Sequence, residues 1–157
     1  MTSMTPVRAR TRVNASVERT FEAFTAEVDA WWRRGPRFRF DADGREGTLA
    51  FEPRVGGRFV ERYEPGDERV VGEVLGWQPP HRIVFRLLPP VPSGGEGTRV
   101  EVTFTATDDG RTEVVLEHHG LEHVEARHRS QGLRGTALRS VTSVWWADLL
   151  VAFANHR

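Results

Sequence analysis

The sequence predicts an α+β fold, a seven-stranded antiparallel sheet with one long helix laid across it. Three observations carry this. Short alternating segments separated by turn residues fill the chain from Phe38 to His119. Residues 134 to 153 then read as a single helix, with Trp145-Trp146 and Leu149-Leu150 in its middle. The strands follow one another through tight turns, which pairs them antiparallel and segregates helix from sheet.

Val7 to Val13 alternates Val7, Ala9, Thr11 and Val13 against Arg8, Arg10 and Arg12, the pattern of a half-buried strand. Ser16 suits the cap of a helix over Val17 to Thr25, whose Val17, Phe21 and Phe24 fall at helical spacing. A second short helix is expected from Ala26 to Trp32, ended by Gly35-Pro36. Six further strands are expected: Gly47 to Glu52, Gly57 to Tyr63, Arg69 to Trp77, His81 to Leu87, Thr98 to Thr107 and Thr112 to His119. Asp108-Asp109-Gly110 is a hairpin turn. Pro89 to Gly97 is the one flexible-looking loop, and it joins two strands rather than two domains. In the last helix Leu138, Val141, Trp145, Leu149 and Ala152 form one stripe, and Thr142, Trp146, Leu150 and Phe153 an adjacent one. Together they are wider than the roughly 100° stripe of an ordinary surface helix, so something must cover the excess.

The 157 residues suit a single domain, 1–157, with one core. No apolar run approaches the roughly 18 residues of a membrane span, and the first dozen residues are polar. Cysteine is absent, which excludes disulfides, thiol nucleophiles and thiolate metal sites. All 22 basic residues are Arg, so Schiff-base chemistry on lysine is excluded. The basic residues are balanced by 22 acidic ones with no basic face evident, which argues against nucleic acid as a partner. A cytoplasmic protein without a membrane or nucleic-acid partner is expected.

Several motifs then align in order. Val13 to Phe21, Trp31-Trp32, the stretch Phe51-Glu52-Pro53-Arg54-Val55-Gly56-Gly57-Arg58-Phe59, Gly72 to Leu75 with Trp77 to Ile83, Thr112 to His118, and Trp145 to Leu150 resemble the START-like superfamily, also called SRPBCC. Its fold is that of polyketide cyclases and of the birch-pollen allergen. The best match is the bacterial branch similar to the activator of the heat-shock-protein-90 ATPase. The resemblance spans nearly the whole chain. It implies a helix-grip fold, with a seven-stranded sheet gripping the C-terminal helix and a cavity between them. Members bind small apolar molecules, and some are cyclases. The resemblance carries over no universal catalytic set.

Alternation turns Leu49 and Phe51, Ile83, Phe85 and Leu87, Val100, Val102 and Phe104, and Val114 and Leu116 toward the helix. By the same rule Phe59, Glu61 and Tyr63 share a face, and His118 joins Val114. A few polar groups among aromatics is the make-up of a small-molecule pocket. The expected ligand-binding set is Trp32, Phe38, Phe40, Phe51, Phe59, Glu61, Tyr63, Phe85, His118, Trp145, Trp146 and Leu149. Trp31, Trp32, Phe38, Arg39 and Phe40 read as an aromatic gate near the cavity entrance. Against these stand blander readings: a salt-bridged Glu61, a rim Tyr63 with its hydroxyl in water, and a satellite hydrophobic cluster in place of the gate. A metal site is not expected. His118 and His119 point to opposite faces of a strand, and His123 and His128 are poorly spaced for one helix face. Asp41 to Glu46 lacks the ligand pattern of a calcium loop. No cofactor motif is present.

The sequence therefore supports a module binding a small apolar or aromatic molecule. The alternatives are a cyclase or hydrolase-like enzyme using Glu61 or His118 as acid or base, and a chaperone-associated interaction domain. A homodimer is compatible with the wide face of the last helix.

Overall fold

A computed structural model describes residues 5–35, 37–40, 45–64, 66–88, 97–121 and 135–156, with the side chains of 135–138 outside that description. Strand β1 (Val7–Val13) is followed by α1 (Val17–Thr25) and α2 (Val28–Trp31). The strands β2 (Thr48–Phe51), β3 (Arg58–Arg62), β4 (Glu68–Gln78), β5 (Arg82–Leu87), β6 (Thr98–Ala106) and β7 (Thr112–His119) come next. Helix α3 (Gly135–Ala154) comes last. All pairings are antiparallel, and the sheet order is β1-β7-β6-β5-β4-β3-β2. This is the helix-grip arrangement.

Local chemistry accounts for the elements. On β1 the arginines are exposed and Val7 and Val13 buried. Ser16 caps α1 by accepting from the Arg19 N–H at 3.2 Å. The same helix buries Phe21, Ala23 and Phe24. The second helix is shorter than expected, because residues 26 and 27 form a turn and only 28–31 are helical. Irregular register between Phe59 and Val60, and between Val74 and Gly76, marks bulges in neighbouring strand pairs. Bulges bend and twist a strand, which helps the sheet curl around α3.

The core lies between the concave face of the sheet and the three helices. Ile83, Phe85, Val100, Val102, Phe104, Val114 and Leu116 from the strands meet Trp146, Leu149, Leu150 and Phe153 of α3 there. Burying each of the α3 side chains is worth roughly 1.5–3 kcal/mol. The wide apolar face read from the sequence needs correction at Val141, which is 55% exposed, as are Val144 and Val151 at 53% and 57%. The register of α3 turns Trp146, Leu149 and Phe153 inward, and these valines lie on the opposite side. Asp41 to Gly44, residues 89–96, and His123 and His128 lie outside the described residues. No helix among the described residues is long and apolar enough to cross a membrane.

Leu149 and Val141 make opposite predictions. Leu149→Ala should cost about 2–5 kcal/mol in urea denaturation. Val141→Ala should stay within about 0.5 kcal/mol.

Candidate functional site

The aromatic residues form one connected cluster. Trp32 is its centre, with ring centroids of Phe40, Phe59, Trp145 and Trp146 at 5.9, 5.8, 5.6 and 5.8 Å. Its indole N–H donates to the Phe38 carbonyl at 2.9 Å, which fixes the ring at the end of α2. Phe51 stacks on Phe59 at 4.1 Å and meets Phe85 edge-on at 5.2 Å. Phe38 stacks on Trp145 at 6.2 Å, and the Trp145 N–H donates to the Arg37 carbonyl at 2.8 Å. Trp32, Phe38, Phe59, Phe85, Trp146 and Leu149 are buried, whereas Phe40, Phe51 and Trp145 remain half-buried. The rings therefore make a closed floor with a partly open aromatic rim.

One polar network closes the β3 side. Glu61 has no exposed surface. Its Oε1 accepts from the Tyr63 hydroxyl at 2.6 Å and the Phe40 N–H at 3.3 Å, and its Oε2 from the Gly47 N–H at 3.3 Å. The Arg39 guanidinium lies 3.8 Å from Oε2. The geometry corrects two expectations. Tyr63 is buried with its hydroxyl on a carboxylate rather than in water. Arg39, read from the sequence as part of an aromatic gate, is a buried strut: it donates to Asp29 at 2.8 Å and to the carbonyls of Trp32, Arg33 and Gly47. Burial opposes the Asp29 carboxylate. Hydrogen bonds from Arg39 and the Leu49 N–H, with the charges of Arg39 and Arg34, outweigh it and hold its pKa below the ordinary value. Gly47 is required at its position. A Cβ there would lie 2.4 Å from the Arg62 carbonyl oxygen and 2.7 Å from the Glu61 side chain.

A second network lies on the β7 side. His118 is buried, and the Trp146 indole donates to its Nδ1 at 2.9 Å. An indole N–H only donates, so Nδ1 must carry the lone pair. The neutral ring then has its proton on Nε2, which donates to Thr98 Oγ1 at 2.7 Å. The two networks share no residue. Thr98, Asp29 and Gly47 were not singled out from the sequence. Thr98 was reachable, because it shares the inward parity of Val100, Val102 and Phe104. The others sit in turns or a short helix, where alternation is silent.

His119 points away from His118 and contacts Glu117 at 3.2 Å. Among the described residues no group of three metal-ligating side chains converges. Two concavities lie away from the aromatic cluster. One, of about 340 Å³, sits at the end of α3 beside Arg19, Thr20 and His156. The other, of about 560 Å³, runs between the start of β1 and Arg139, Ser143 and Val144 of α3.

The His118 geometry predicts a pH dependence. Burial, with a smaller contribution from the charge of His119, lowers its pKa from 6.5 to about 4. The unfolded chain takes up this proton first, so stability falls as pH drops from about 6.5 toward about 4. The loss is on the order of 3 kcal/mol. Denaturation of wild type and His118→Gln across that range should show this slope in the wild type only.

Comparisons with known proteins agree with this architecture. The family model "Activator of Hsp90 ATPase homolog 1-like protein" matches residues 14–143. The chain is 33% identical to an anthrahydroquino-γ-pyrone synthase, Txn09, solved complexed with SUM. That match covers 98% of this chain and 97% of the other, with a TM-score of 0.58. The Aha1 dimer from Colwellia psychrerythraea is 16% identical, covering 97% and 95% of the two chains, with a TM-score of 0.63. An HSP90 activator from Plasmodium falciparum is 19% identical over 74% and 73%, with a TM-score of 0.53. No curated protein matches in the corresponding comparison. With its seven-stranded sheet gripping α3 and a family match over most of its length, the chain belongs to the Activator of Hsp90 ATPase homolog 1-like family of the START-like superfamily.

Proposed function

We propose that this protein binds a flat, polycyclic aromatic molecule against the concave face of its sheet and promotes ring closure by holding that molecule in a reactive geometry. The observation that carries the reading is the aromatic rim. Phe40, Phe51 and Trp145 are each half-buried while packing on the buried rings of Trp32 and Phe59. Aromatic faces stack on fused rings without demanding a particular substituent. The full-length likeness to a synthase of a fused aromatic pyrone supports the same substrate class.

Both carboxylate oxygens of Glu61 and both ring nitrogens of His118 are spent on protein partners. The reading therefore rests on binding and orientation rather than on either residue as acid or base. Holding reacting groups in a near-attack arrangement is by itself a large rate factor.

Titration calorimetry with anthracene-2-sulfonate, a soluble three-ring probe, tests this reading. Binding is expected in the wild type, with Phe51→Ala and Trp145→Ala each weakening it by about tenfold. Absence of binding, or unchanged affinity in both variants, would overturn the reading.

Exposed Val141, Val144 and Val151 on the outer side of α3 favour a second reading, self-association of two copies through that face. Light scattering should find a dimer that Val144→Glu converts to a monomer. A wild type that stays monomeric at high concentration would exclude it.

A further inference from the structure

Among the described residues, the chain of donors from Trp146 to Thr98 ends on an unspent hydrogen. The Trp146 indole must donate to His118 Nδ1, so His118 Nε2 must donate to Thr98 Oγ1. A threonine hydroxyl that accepts in this way still carries one hydrogen to give. Thr98 is 7% exposed, and among the described residues His118 is the one hydrogen-bond partner of its hydroxyl. A buried hydroxyl hydrogen without an acceptor is an uncommon expense in a folded chain, and it calls for an explanation. Each donor in the relay also polarises the next, which strengthens the terminal hydroxyl as a donor.

Its location supplies the explanation. Pairing aligns Phe51 with Phe59, Phe59 with Gly72, Gly72 with Leu87, and Leu87 with Thr98. These five residues form one row across the sheet. Two stacked rings stand at one end, Gly72 contributes no side chain in the middle, and the hydroxyl stands at the other end. From Phe59 to Thr98 the row covers three strand spacings, roughly 14 Å along the sheet. That span suits a fused polycycle better than a single ring.

We propose that Thr98 donates a hydrogen bond to a carbonyl or phenolic oxygen of the aromatic ligand, and that His118 and Trp146 are positioning residues that hold its hydroxyl in the donating orientation. The inference rests on the reading that the concave face binds a flat aromatic molecule, and it adds a specificity: the ligand carries an oxygen at the end far from Phe51. No covalent step is involved.

The test compares two probes that share three rings and a sulfonate. Anthraquinone-2-sulfonate carries two ring carbonyls, and anthracene-2-sulfonate carries none. Calorimetry should find the quinone bound roughly 3- to 10-fold more tightly by the wild type, the worth of one hydrogen bond. Thr98→Val should abolish that preference and leave the anthracene affinity unchanged, while Thr98→Ser should retain it. Trp146→Phe, which frees His118 to change tautomer, should reduce the preference without abolishing ring binding. A merely structural Thr98 would shift both affinities together or neither. Equal affinity of the wild type for the two probes overturns the assignment of Thr98 while leaving the aromatic-binding reading standing, and it does so even if the variants fail to fold. Binding of neither probe overturns both.

Discussion

Trp146 can be buried against the sheet only if its indole N–H finds an acceptor there. The rest of the concave face is organised around that requirement. The ring is fully buried and supplies much of the area that docks α3, yet an orphaned donor in that position costs on the order of 1–3 kcal/mol. His118 is the acceptor, and accepting at Nδ1 fixes it as a neutral ring with its proton on Nε2. A single hydrogen bond thus sets the protonation state of one residue and the orientation of the next, and it couples helix docking to the polar character of the face beneath. The low dielectric of the core strengthens these hydrogen bonds and makes any unpaired member costly.

The Glu61 network solves a different problem with similar means. Residues 37–40 and 45–47 are not in regular structure, and their main-chain groups come close to the core. Glu61 meets the N–H groups of Phe40 and Gly47, and Arg39 meets the carbonyls of Trp32, Arg33 and Gly47. A carboxyl group and a guanidinium thereby take the place of the missing ladder. Removing either would leave buried polar groups without partners, which is why such pairs are costly to break even where they add little net stability. The consequence for the site is rigidity. Phe38 and Phe40 flank Arg39 in sequence, so the buried guanidinium fixes the loop that carries two of the aromatic residues.

The strand alternation was strong enough in the sequence to place β1, β6 and β7 and to turn Phe59, Glu61 and His118 inward, because one face of each strand is apolar almost without exception. Phe51 and Phe85 were turned inward for the same reason. Arg39 and Asp29 were not. A buried charge is defined by partners distant in the chain, and no local period records them. Tyr63 was misjudged because tyrosine is common at rims. Its partner, two residues away on the same strand, becomes one only once Glu61 is known to be sealed. Val141 was assigned inward because α3 is apolar on nearly every side. A helix without a clear polar face carries no rotational signal, and the packing of Trp146 and Leu149 decides which valines are left outside.

The order β1-β7-β6-β5-β4-β3-β2 puts the first strand at one edge, where β7 is its single neighbour. Thr112 then bonds the Ala15 carbonyl at 2.8 Å across 97 positions of chain. During synthesis β1 emerges before any strand it can pair with, and it must wait while the hairpins from β2 to β7 form locally. Helix α3 is translated later still, although its packing on the sheet includes contact with β1. The concave face is therefore the last part of the molecule to be assembled. A nascent chain would carry its aromatic rings uncovered for most of its synthesis, in the state where such chains are most prone to associate wrongly.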